Sequence, residues 1–366
     1  DVFMKVMHGD PNRAEHQKVF VETADGKFKY QLFMDYAKGL PDYLEMVPYM
    51  GNISGGCVGP DDCLYCGLRG GGFMSPEPPS SIIKLDPEGN FIKTIGEGII
   101  SGLHFFEVTD RGTVIIPDTG ASYVYELDLE SEKIVRTWGE KGKPCDNIKD
   151  VNVFTRVRMH NGIFATEPCH GYDGGSYEWM LKHELKELGK PFHNPTDVAH
   201  DSQGNMYVSD GYSNFAVHKF NKDGDYVETW GGKGVWDPYT DTPGKFLVVH
   251  SLCCDPRDRI WVCDREKDAV HVFNTKGEVV FYMSNDMGQP SGVDTDGTYV
   301  YVVGRGGYIT IFDLDFNVVG QLGFFNGNLR GHTLAADSRG NLYIFPTHAN
   351  EEHQFIALKR VNETEK

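Results

Sequence analysis

Three histidines, His104, His250 and His332, stand at one register of a repeated sequence unit. Imidazoles that recur in this way are the residues best able to build a metal centre. Each lies eight residues ahead of a turn position and fourteen ahead of the end of the strand that follows, in HFFEVTDRGTVIIPD, HSLCCDPRDRIWVCD and HTLAADSRGNLYIFP. Three neutral histidines with one open position form the ligand set of a catalytic zinc. A lone histidine at such a place more often caps a turn or packs at an edge, so the shared register favours a common ion.

The same register recurs at Ser54 (SGGCVGPDDCLYCGL), Thr196 (TDVAHDSQGNMYVSD) and Ser291 (SGVDTDGTYVYVVGR), which makes six copies. Most successive copies lie 41 to 54 positions apart by the numbering, a period that points to a solenoid or a propeller. Within a copy, an apolar strand such as NMYVSD, RIWVCD or NLYIF follows a D-x-x-G or similar turn. A second strand, AVHKF or AVHVF, then leads through a glycine turn to a third such as YVETWG. Four short strands per copy describe an all-β, six-bladed β-propeller. The histidines fall in the second, fourth and sixth blades, so sixfold symmetry spaces them about 120° apart around the axis and leaves the axial direction open.

At 366 residues with 40% hydrophobic content, the chain is long enough to bury a substantial core as one domain. The expected propeller covers 49–360, preceded by an extension, 1–48, in which KVFVETADGKFKYQLF alternates as a hairpin that completes or wraps the last blade. A net charge of −18 argues against a nucleic-acid partner, while a local pocket can still accept a small anionic substrate. No apolar run reaches the roughly 20 residues needed to span a bilayer. His104 and Thr196 lie 92 positions apart, so an insertion of about 140–192 is expected between the second and third blades. There SYEWMLKHELKELGK carries helical spacing, whereas VNVFTRVRMHNGIFATEP resembles a strand pair. That segment contributes His160, Cys169, His170 and His183 as candidate lid residues. Cys63 and Cys66 form a lone C-x-x-C on a strand and read as core residues, because side chains three apart face opposite ways.

The stretches NPTDVAHDSQGNMYVSDGYSNFAVHKF and PGKFLVVHSLCCDPRDRIWVCDREKDAVHVF resemble the catalytic core of the peptidyl-α-hydroxyglycine α-amidating lyase family, a six-bladed NHL-type propeller. The resemblance spans roughly 50–350. It implies a catalytic zinc held by His104, His250 and His332, and a tyrosine base in a D-G-Y motif at Tyr212. It also implies two pocket arginines, Arg69 in CGLRGGG and Arg265 in CDREKD. The repeat register agrees, because Arg69 and Arg265 each follow their unit's first residue by fifteen positions and Tyr212 follows Thr196 by sixteen. Such residues project from loops just past a strand end.

Three departures from the family matter. Thr333 follows His332 where the family has an aspartate, so the family's structural calcium is not expected. Arg330 replaces a methionine at the pocket and favours a smaller or more anionic substrate. Ser213 and Trp261 replace disulfide cysteines, which suits a cytoplasmic setting, with a periplasmic or secreted one left open by a chain that begins at Asp1. The leading expectation is a zinc-dependent lyase that cleaves the C–N bond of a small carbinolamide or related α-hydroxy acid and releases an aldehyde acid such as glyoxylate. A zinc hydrolase or hydratase acting on a small anionic ester, lactone or amide is the alternative, and a non-catalytic interaction propeller is the third. Oligomeric state and the choice among imidazole-binding metals are not encoded in these patterns.

Overall fold

A computed structural model describes residues 19–34, 36–41, 53–68, 80–143, 155–160, 163–168, 192–212, 214–235, 239–325, 327, 329–346 and 355–361. The protein is a six-bladed β-propeller, and its described residues form five four-stranded sheets, one five-stranded sheet and a separate two-stranded pair. No helix occurs among the described residues, and none is long and apolar enough to cross a membrane. The helix expected over 176–190, with Cys169, His170 and His183, lies outside the described residues. Within the expected insertion, Thr155–His160 pairs antiparallel with Ile163–Pro168 as a hairpin, the strand-pair reading of that stretch.

Two compact units divide the chain. One comprises Asp1–Leu103, Val108–Gly112 and Ser291–Lys366. It holds the first blade (Ile53–Val58, Leu64–Leu68, Ser81–Leu85, Phe91–Ile95) and the fifth (Pro290–Thr295, Tyr299–Gly304, Tyr308–Asp313, Val318–Gly323). The sixth blade draws on both chain ends. Thr333–Ala336, Leu342–Phe345 and Ile356–Arg360 are joined by Lys29–Phe33, which pairs Tyr30 with Arg360, and then by Phe20–Glu22. Phe28, Tyr30 and Leu32 thereby enter a core with Ile309, Leu334 and Ile344.

The other unit comprises His104–Glu107 and Thr113–Pro290. It holds all but Val108 of the second blade (Glu107–Val108, Thr113–Asp118, Tyr123–Asp128, Ile134–Trp138), the third (Pro195–His200, Met206–Asp210, Ala216–Phe220, Tyr226–Gly231) and the fourth (Val249–Cys254, Ile260–Asp264, Ala269–Phe273, Val279–Ser284). Every residue of the second strand in these blades is buried, whereas Ile134–Val135 on an outer strand are exposed, which is why inner strands read as unbroken apolar runs. Tyr207, Val217, Trp230, Val262 and Phe273 form the core between the third and fourth blades.

The D-x-x-G turns have a common physical basis. Asp201 Oδ1 accepts the backbone N–H groups of Gln203 and Asn205, and its other oxygen accepts the Tyr207 hydroxyl at 2.9 Å from the next strand. Asp255 with Trp261, at 2.8 Å, and Asp337 with Tyr343, at 3.2 Å, repeat the arrangement. The turn position eight residues past each histidine is left-handed, with φ of +74° at Gly112, +56° at Asp258 and +76° at Gly340. Glycine or aspartate recurs there because few other residues adopt that backbone region.

Candidate metal centre

The register residue of several blades sits at a break in strand pairing. In the first strand of the fourth blade, Val249 pairs with Asp264 and Ser251 with Cys263, so His250 is skipped. Thr196 is skipped between Pro195 and Asp197 in the third blade, and Ser54 between Ile53 and Gly55 in the first. A bulge of this kind re-aims one side chain without disturbing the rest of the strand. The strand-end aspartates brace the approach to it. Asp264 accepts the N–H groups of Leu247 and Val248 at 2.9 and 2.8 Å, just ahead of His250. Asp210 does the same for His193 and Asn194 at 2.9 and 2.7 Å, just ahead of Thr196. Burial pushes the Asp210 carboxyl up, but His218 beside it and these amides outweigh burial and hold it below the usual carboxylate range.

His104 and His250 are 1% and 0% exposed, and their rings meet edge to face with centroids 4.9 Å apart. His104 Nδ1 lies 3.0 Å from the carbonyl oxygen of Thr196. Because a carbonyl only accepts, Nδ1 carries the proton and Nε2 of the neutral ring presents its lone pair. The Tyr212 hydroxyl oxygen is 3.0 Å from that Nε2 and 3.1 Å from Nε2 of His250. His332 is the most accessible of the three histidines. One ligand nitrogen from each of His104, His250 and His332 lies within 4.8 Å of the others, so the group could hold a metal ion. An all-imidazole donor set, with one ring already fixed in its ligating tautomer, suits zinc.

Tyr212 reaches the imidazoles through a glycine. A Cβ on Gly211 would stand 1.5 Å from the carbonyl oxygen of Val249, backbone against backbone. The D-G-Y motif is therefore a brace, a close approach and a side chain that reaches the imidazoles in succession. Gly211→Ala is expected to destabilise the protein by about 3 kcal/mol or more and to move Tyr212 off His250. Denaturant unfolding would detect this, and an unchanged midpoint would contradict the close approach.

Arg265 Nη1 is 3.5 Å from the Tyr212 hydroxyl, and the guanidinium carbon lies 5.5 Å from the tyrosine ring centre. Its Nε donates to Glu266 Oε1 at 2.8 Å, and both residues are buried. Burial alone would lower the guanidinium pKa, but the Glu266 carboxylate outweighs it and raises it. Sequence reasoning missed Glu266, whose adjacency to Arg265 in DREKD was the available signal. Arg330 is exposed, two residues ahead of His332, and Arg69 lies outside the described residues.

No family model matches the chain. Among curated proteins, it is similar to peptidylglycine alpha-amidating monooxygenase of Rattus norvegicus, with 40% identity over 123 residues, 33% of this chain and 12% of that protein. Peptidyl-glycine alpha-amidating monooxygenase B of Xenopus laevis is 29% identical over 312 residues, 78% of this chain and 30% of that protein. The probable peptidyl-alpha-hydroxyglycine alpha-amidating lyase pgal-1 of Caenorhabditis elegans is 24% identical over 195 residues, 53% of this chain and 43% of that protein. The chain thus spans less than half the length of each of these relatives. Among solved structures, that of streptogramin B lyase aligns with a TM-score of 0.50 at 11% identity, covering 91% of this chain and 98% of that one, a likeness of fold alone.

Proposed function

The chain belongs to an amidating-lyase-like propeller family, and on that premise we propose that it cleaves the C–N bond of a small carbinolamide, R–CO–NH–CH(OH)–COO⁻. The products are a primary amide and an aldehyde acid such as glyoxylate. The observation that carries this reading is the Tyr212 hydroxyl, set between the Nε2 atoms of His104 and His250 and beside the Arg265 guanidinium. Zinc held by His104, His250 and His332 would supply Lewis acidity to a substrate oxygen.

Each residue then has a defined task. Arg265 offers a planar fork to the substrate carboxylate, and its bond to Glu266 keeps that fork from swinging away. Tyr212 takes the proton of the substrate hydroxyl at its phenolic oxygen, which lies 3.5 Å from Arg265 Nη1. As the C–O bond becomes a carbonyl, the C–N bond breaks with its electron pair moving to nitrogen. The proton held by Tyr212 is the one available to complete the amide. No water is consumed. Arg330, exposed near His332, is proposed to favour substrates with a second anionic group.

An N-acyl-α-hydroxyglycine incubated in ¹⁸O-labelled water is the test. The expected result is stoichiometric amide and glyoxylate, with label in the aldehyde only at the rate of its own hydration exchange and none in the amide. Label incorporated into the acyl product would mark a hydrolase and overturn the lyase reading.

A further inference from the structure

We propose that Thr196 and Ser291, which occupy the histidine register in the third and fifth blades, are positioning residues that clamp His250 and His332 of the following blades. The proposal rests on the reading of the three imidazoles as a metal site. Both residues are 0% exposed. Thr196 Oγ1 donates to the carbonyl oxygen of Val249 at 3.0 Å, and Ser291 Oγ donates to that of Gly331 at 2.5 Å. These carbonyls belong to the residues immediately ahead of His250 and His332. A hydrogen bond at that point fixes the peptide plane from which the histidine's Cα–Cβ bond departs.

The direction of each bond follows from the donors available. A carbonyl only accepts, so Thr196 donates to Val249, while Ser209 Oγ, 2.7 Å from Thr196 Oγ1, is also 3.3 Å from the carbonyl oxygen of Asp197. The backbone carbonyl of Thr196 meanwhile takes the Nδ1 proton of His104, so one residue holds two of the three imidazoles. Asp197 extends the clamp beyond His250, accepting the Ser251 hydroxyl at 2.7 Å and the Leu252 N–H at 3.0 Å. In the fifth and sixth blades a different set of contacts flanks His332. Asp294 accepts the Ala336 N–H at 2.9 Å, and a Cβ on Gly292 would come within 2.4 Å of Thr333 Cα. Residues on both sides of the bulged His250 are gripped, and the ring alone is left to turn inward.

A buried hydroxyl at a blade contact could serve packing only. Thr196→Val keeps the shape and removes the donor, so it separates the two roles. The readout is cobalt(II) titration, because the visible d–d bands report ligand number and geometry independently of turnover. The expected result is that Thr196→Val/Ser291→Ala weakens cobalt binding by about 10- to 100-fold and alters the bands, whereas Thr196→Ser and Ser291→Thr behave as the wild type. If the double variant does not fold, as judged by circular dichroism, Thr196→Val alone carries the same comparison. Wild-type affinity and bands in the folded valine variant would overturn the positioning role alone. A wild-type protein that takes up no cobalt would overturn this role together with the metal reading beneath it.

Discussion

Replacing His250 by alanine is expected to remove bound metal and turnover together. His250 is fully buried, its Nε2 lies 3.1 Å from the Tyr212 hydroxyl, and its ring packs edge-on against His104. Truncation leaves two imidazoles where a catalytic zinc needs three protein ligands. Elemental analysis of dialysed protein should fall from about one zinc per chain to near none. Glyoxylate release should fall to the uncatalysed rate. Because Thr196 still holds the Val249 carbonyl and Asp197 still holds the Ser251 hydroxyl and the Leu252 N–H, the blade itself should persist, with an unchanged β spectrum. Full metal content in this variant would sink the three-histidine centre.

Tyr212→Phe separates acid–base work from metal binding. The substitution removes one oxygen and leaves the ring on which the Arg265 guanidinium rests at 5.5 Å. Metal content should therefore be intact. Loss of a positioned proton acceptor is expected to lower kcat by about 10²- to 10⁴-fold, with KM changed far less. A variant that retained wild-type kcat would show that the proton leaves by another route. The two variants fail in different ways: the first loses the ion, and the second keeps the ion and loses the step.

Much of the site could be read from spacing. The histidine register, the left-handed turn eight residues on and the strand end fourteen residues on, or thirteen after His332, are local features of a repeat, and local features survive in sequence. Tyr212 and Arg265 came from the family resemblance, with which the repeat register agrees, and the structure brings them within 3.5 Å of each other. What the spacing could not reveal was the purpose of the other register residues. Thr196 and Ser291 looked like unremarkable starts of their units, because a hydroxyl's partner is a backbone carbonyl in another blade and backbone leaves no mark in residue identity. Glu266 was overlooked for a similar reason, since an acid beside a base in a charged loop reads as ordinary surface until both are seen buried.

The blades and their order were determined by the chain alone. Alternation, unbroken apolar runs and aspartate-anchored turns are set by each strand's own burial, and the six copies carry that pattern independently. Tertiary structure decided the chemistry. Only the packing of neighbouring blades selects the bulge at His250, the Nδ1 proton of His104 facing Thr196 and the close approach of Gly211 to Val249. The last two are contacts between residues 92 and 38 positions apart, where the energy belongs to the pair and neither sequence neighbourhood contains it.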